Sequence, residues 1–152
     1  MKNVIWFLLL FFAMKYAISA SIDIAEKNCM KSAKEIFLEK LEKRYFIRFP
    51  RVVLSQMWHE TGGFKSKIYK ENHNPFGMKW NNRGYALGVL HGHARYSNIW
   101  DAIQDYSDWQ AKYCPKGISS EQEYIDWLIR FGYAEDTLYR KHITKTLNTL
   151  VQ

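Results

Sequence analysis

The chain opens with Lys2 and an unbroken apolar run, Val4 to Met14, that ends in the small residues Ala17-Ile18-Ser19-Ala20. As a helix that run rises only about 16 Å, well short of the ~30 Å hydrocarbon layer of a bilayer. A basic start, a short apolar stretch and a small-residue end follow the grammar of a secretory signal over residues 1–20. An uncleaved anchor is the alternative, because Lys15 and Tyr16 interrupt the approach to a cleavage site.

Beyond it the apolar positions fall at helical spacing. Ile24, Cys29, Ala33, Ile36, Phe37, Leu41 and Phe46 predict one long packing helix over Ile22 to Phe49. Pro50 suits the first turn of a second helix, with Val53, Leu54, Met57 and Trp58 on its apolar face and Gly62-Gly63 at its end. From Asn72 to Tyr96 the helical period disappears, and Gly77, Asn81-Asn82-Arg83-Gly84, Gly88 and Gly92 punctuate runs that suit a small hairpin lobe. Helical spacing returns after the capping pair Ser97-Asn98, through Ile99, Ala102, Ile103, Tyr106 and Trp109, and stops at Cys114-Pro115-Lys116-Gly117. Ser120 to Glu123 reads as a capping box before Tyr124, Trp127, Leu128 and Phe131, with Gly132 closing that helix, and a last helix carries Leu138, Ile143, Leu147 and Leu150. The pattern predicts a mainly helical α+β domain over residues 21–152, about five helices interrupted by a β-hairpin lobe, with the cleft between the two parts.

Composition narrows the function. At 152 residues, 47% hydrophobic and 16% aromatic, the chain suits one globular domain and excludes a disordered or repeat architecture. Loss of Lys2 and Lys15 with the signal lowers the formal charge from +7 to +5. Those basic residues are scattered, not striped, which suits an anionic polymer surface and argues against nucleic acid as the partner. Cys29 and Cys114 could pair in an oxidising compartment or stay as free thiols, and spacing does not choose between them. No Cys/His ligand spacing, phosphate-binding glycine loop or nucleophile-elbow serine occurs, so neither a metal nor another cofactor is expected. His59-Glu60 lacks the second histidine of a zinc-protease helix, since Gly63 occupies that position, and for His73, His91 and His93 a turn or sugar-binding role is preferred over a metal site.

Glu60 is the first candidate for chemistry. It ends an apolar helix, three and seven positions after Met57 and Val53, and so shares their face. A carboxyl so placed is partly desolvated, which favours its neutral form and equips it as a general acid near neutral pH; a solvated glutamate in a last helical turn is the competing description.

The words around Glu60 decide between them. Leu54-Ser55-Gln56-Met57-Trp58-His59-Glu60-Thr61-Gly62, then Ser66-Lys67-Ile68, then Glu71-Asn72-His73-Asn74-Pro75-Phe76-Gly77-Met78-Lys79 resembles the bacterial glucosaminidase domain family, the mannosyl-glycoprotein endo-β-N-acetylglucosaminidase-like group that includes flagellar peptidoglycan hydrolases and autolysins. Arg95-Tyr96, Asp105-Tyr106 and Gly132-Tyr133-Ala134-x-Asp136 followed by Tyr139 continue the match in order, from about Arg51 to Leu150. The resemblance implies a lysozyme-like fold and cleavage of the β-1,4 bond between N-acetylglucosamine and N-acetylmuramic acid in peptidoglycan glycan strands. It implies Glu60 as general acid and Tyr133 as the catalytic-site aromatic, with Asn74, Phe76, Trp80, Tyr96 and Asp105 assigned to substrate binding. Trp80, beside a turn, is open between a sugar platform and lobe packing.

One departure matters. Where a second catalytic carboxylate has been proposed in the family it lies in the β lobe, yet Asn72 to Asn98 contains neither Asp nor Glu. Three routes remain: the substrate's acetamido group attacks C1, Asp101 or Asp105 reaches the cleft, or the sugar's 6-hydroxyl closes on C1 as in lytic transglycosylases. Acetamido assistance is favoured. The rival from another class is a non-catalytic wall-binding protein, against which the retention of Glu60 inside its motif argues. The expected form is an exported monomer that meets a membrane only through its N-terminal segment, if that segment is uncleaved.

Overall fold

The computed structural model describes residues 2–80, 82, 84–133 and 138–150, and leaves the side chains of residues 2–18, 30–32 and 150 outside that description. It divides into two units, residues 1–37 and residues 38–152. The first consists of the greater part of α1 (Lys2–Lys43), whose residues 21–29 are all exposed. The expected packing role of Ile24, Cys29, Ala33 and Ile36 is therefore corrected, since all four side chains face solvent. Among the described residues no helix is long and apolar enough to cross a membrane.

In the second unit α1 ends at Lys43, earlier than the apolar spacing predicts, because the chain turns back on itself there. The Tyr45 and Ile47 N–H groups close on the Lys40 and Leu41 carbonyls, and Phe46 takes a left-handed conformation that leaves its ring 79% exposed. Leu41 and Ile47 are buried and start the core. Pro50 then pre-sets the first turn of α2 (Pro50–Glu60), in which Val52 to Met57 are all buried. A helix buried on every side is the centre of a domain, and α2 packs along α6 (Tyr139–Leu150) through Ile143 and Leu147. Of the buried polar residues of α2, Ser55 Oγ donates to Arg51 O at 3.0 Å and Gln56 Oε1 accepts from Tyr106 at 2.8 Å, while Gln56 Nε2 is buried without a hydrogen-bond partner among the described residues.

Both capping predictions for the later helices hold. Asn98 caps α4 (Ile99–Tyr113) through the Trp100 and Asp101 N–H groups, and Ser120 with Glu123 forms the capping box of α5 (Glu121–Arg130). Tyr106, Tyr124, Ile125, Leu128 and Ile143 complete the core. Leu138, expected on the last helix, precedes it and is exposed. A single-turn helix, α3 (Lys67–Asn72), was not expected; Ser66 caps it by accepting from Tyr69 N at 3.1 Å. The two cysteines are free thiols, Cys29 exposed and Cys114 buried beside Arg48.

The hairpin lobe is small. β1 (Gly88–Leu90) and β2 (His93–Arg95) pair antiparallel, with Val89 opposite Ala94. His91 and Gly92 form the two-residue connection with φ of 52° and 73°, the two positive values that a primed hairpin turn requires. His91 sits in the turn and reaches Glu71 at 2.5 Å, while His93 lies on β2 and turns to Lys79.

Candidate active site

Glu60 is the last residue of α2, and the structure explains why the chain turns there. Thr61 Oγ1 donates to Met57 O at 2.6 Å and accepts from Phe64 N at 2.7 Å, which occupies the carbonyl and amide that another helical turn would use. Gly62 and Gly63 follow at φ of 56° and 73°. The positive φ of Gly63 favours glycine, and a β-carbon there would crowd the Trp58 ring at 3.2 Å.

The Glu60 side chain is open to solvent on one side, and protein surrounds its other sides. Desolvation raises its pKa to about 7. The backbone of Gly77 passes close by: a β-carbon there would lie 4.0 Å from Glu60 Oε2, at a φ of 63°. Tyr133 donates its phenol to Phe76 O at 3.0 Å and so ties the chain after α5 to the same segment. Burial first, and then the Glu60 charge, hold the phenols of Tyr133 and Tyr139 well above the usual tyrosine range. Both stay protonated, neutral groups around the acid.

What places Gly77 is a pair of asparagines. Asn74 Oδ1 accepts from Phe76 N at 3.3 Å and Met78 N at 3.1 Å, while its Nδ2 donates to Met78 O and Ala94 O. Asn72 Nδ2 donates to Leu90 O at 2.6 Å and faces the His93 and Ala94 carbonyls. His73 Nδ1 lies 3.0 Å from Tyr96 O. Phe76 stacks on Tyr106 with ring centroids 4.0 Å apart. The turn that carries Gly77 is thus pinned to the hairpin on one side and to α4 on the other.

The sequence-selected residues therefore divide. Glu60, Tyr133 and Phe76 fall in one cluster, together with Gly77, which was not among them. Asn74, Phe76, Tyr96 and Asp105 are buried, with Tyr96 OH donating to Asp105 Oδ2 at 2.6 Å, so they shape the site from behind. Trp80 is exposed. Asp101 is engaged at the start of α4 by Ser97 and Asn98. Asp136 lies outside the described residues. Two residues the sequence reading passed over are Asn72 and Gly77; the Asn-x-Asn spacing and a glycine directly after an aromatic were their only signals. Among the described residues no group of three or more His, Cys, Asp or Glu is placed to hold a metal. A cavity of about 750 Å³ between α5 and α6, lined by Ile129, Arg140, Thr144 and Lys145, does not include Glu60. Chemistry, not volume, marks the site.

A desolvated acid that ends a buried helix beside a turn braced to a hairpin lobe, in a mainly helical α+β fold, suits acid chemistry on a glycosidic bond. The glucosaminidase family profile, described as mannosyl-glycoprotein endo-beta-N-acetylglucosaminidase, matches residues 36–152, and the chain belongs to that family. No curated protein matches the chain. Among solved structures it is similar to the catalytic domain of the autolysin Auto from Listeria monocytogenes, with a TM-score of 0.58, 16% identity, and coverage of 82% of this chain and 84% of that one. The shared fold is lysozyme-like α+β, mainly helical with its small two-stranded lobe.

Proposed function

We propose that the chain is a peptidoglycan hydrolase that cleaves the β-1,4 bond between N-acetylglucosamine and N-acetylmuramic acid, with Glu60 as general acid. One observation carries the reading: a carboxyl with a pKa of about 7 ends the buried central helix and faces Gly77 in a chain of the glucosaminidase family. At neutral pH such a group holds a proton for part of the time and releases it to a leaving oxygen. The autolysin likeness of the fold points to wall glycan as the polymer.

The second catalytic group is the substrate's own acetamido oxygen. Asp105 is buried against Tyr96 and Asp101 is held at its helix start, which leaves neither free to attack. Glu60 gives its proton to the glycosidic oxygen as the C1–O bond breaks, and the acetamido oxygen bonds to C1 as an oxazolinium ion. Water then adds to C1, Glu60 takes a proton from it, and the anomeric configuration is retained. Trp80 offers its ring to a sugar face, and Tyr133, through Phe76, keeps the groove wall at its distance from Glu60. The enzyme works as an exported monomer, with residues 1–20 directing export.

Loss of turbidity of purified walls tests the reading. Glu60→Gln keeps size and removes the transferable proton, so activity falls by at least about 100-fold. Borohydride reduction followed by mass spectrometry finds reducible N-acetylglucosamine ends; a predominance of closed 1,6-anhydromuramic ends would overturn both bond and mechanism.

A further inference from the structure

Beyond Tyr133 the aromatic side chains do not stop at the core. Trp109 lies 5.5 Å from Tyr133, Phe131 stands edge-on 5.5 Å from Trp109, and Tyr113 lies 5.6 Å from Phe131. This chain of rings leads from the Glu60 cluster to the surface, where Phe131 is 45% and Tyr113 42% exposed. The buried Trp127 supports Phe131 from below at 5.2 Å. Rings so exposed gain little from folding, since the water-facing half of each contributes nothing to the core.

We infer that Phe131 and Tyr113, backed by Trp109, form a shelf that carries sugar rings of the glycan strand beyond the reacting pair. The inference rests on the hydrolase reading above and adds a specificity for chain length that the acid alone does not supply. Continuity selects the occupant. A polymer whose reacting sugars sit against Glu60 and Tyr133 has to leave the groove, and the rings next to Tyr133 present flat apolar faces to the C–H faces of pyranose rings. Two exposed rings fall far short of the roughly 1,200 Å² that a stable protein interface buries. Lys112, with its ammonium 4.9 Å from the Tyr113 ring centroid, limits the patch on one side with a charge that an anionic strand tolerates.

The test is a Phe131→Leu, Tyr113→Leu double variant of the full chain, in which leucine keeps apolar packing on Trp127 and Trp109 but removes the flat faces. Relative to the native chain, kcat/KM on long soluble glycan strands falls about tenfold. On a tetrasaccharide of the same repeat, too short to span groove and shelf, it changes by less than about twofold. Equal losses on both substrates assign the rings to packing and overturn the shelf, as does no loss on either. Sedimentation with insoluble peptidoglycan, in a Glu60→Gln background, reads the shelf without turnover, and retention of the double variant falls about tenfold. Should the native chain cleave neither substrate, the hydrolase reading fails while this assay still decides: equal retention, or none by the parent, sinks the shelf, and selective loss upholds it.

Discussion

The helical body and the hairpin lobe hold their residues by different means. Around α2 the body is closed by shape: Val52, Val53, Met57, Ile103, Leu128 and Ile143 are fully buried, and the few polar links among them run from Gln56 Oε1 to Tyr106 and from Tyr106 to Tyr124, each at 2.8 Å. The lobe has two strands of three residues each, too little face to bury a core of its own. Its fixity comes from Asn72 and Asn74, whose amides hold backbone groups of the turn and of the hairpin together. Glu60 belongs to the first region and Gly77 to the second, so the site is a meeting of two kinds of rigidity. Apolar packing tolerates small shifts at graded cost, whereas a buried amide that loses its partners fails abruptly.

The largest effects separate those two mechanisms. Ile143→Ala opens a cavity between α2 and α6 and costs about 2–5 kcal/mol of global stability, read by denaturant unfolding. Asn74→Ala leaves the buried Phe76 and Met78 N–H groups without acceptors, at roughly 3 kcal/mol, but the damage stays local. Amide exchange at Ala94, whose N–H donates to Met78 O, accelerates in Asn74→Ala while exchange along α5 is unchanged. Exchange that rises equally in lobe and body would erase the distinction.

How much of this the sequence discloses follows the same division. The body was legible, because apolar spacing and caps are local signals: the Asn98 cap, the Ser120 capping box and the Pro50 start stand where the pattern puts them. The end of α1 was not, because Phe46 fits the helical spacing and only the carbonyl-closing turn at Tyr45 and Ile47 shows that the chain has left the helix. Glu60 was legible from its face and its motif, since a residue sharing the stripe of Val53 and Met57 has to meet protein on one side. The asparagines were visible as motif letters but not as braces. An amide's partners depend on chain twenty residues away, Leu90 and Ala94 for Asn72, and no local period encodes them.

A finer probe sits where the regions join. Tyr133→Phe removes the phenol that donates to Phe76 O and loosens the lobe at the site, so activity falls about three- to tenfold at a cost of about 1 kcal/mol in stability. Tyr139→Phe keeps the ring, buried against His59, and costs less activity. Wall-hydrolysis rates of the two variants measured side by side give the order; the reverse order would mean that contact with the acid from the body, not the tie to the lobe, governs the site.

The smallest effect is a pH dependence carried by Glu60 itself. Its folded pKa, about 7, lies above the ordinary glutamate value of 4.5, so between those values the folded state binds a proton that the unfolded state releases. The stability this contributes is fully present below pH 4.5 and is lost as pH rises through about 7. Above that, folding keeps an ionised carboxylate in a partly dehydrated place. Glu60→Gln cannot ionise, so it is more stable than the native chain at pH 8, by on the order of 1 kcal/mol once water at the open side chain is allowed for, and the gap closes toward pH 4. With Glu60 as the proposed general acid, wall hydrolysis by the native chain is expected to decline over the same rise through about pH 7, because the leaving oxygen then loses its proton source. Thermal unfolding of both proteins across this range tests the shared origin. A stability gap that stays constant with pH would show that Glu60 titrates as a solvated carboxylate, and the desolvation that sets it apart would have to be abandoned.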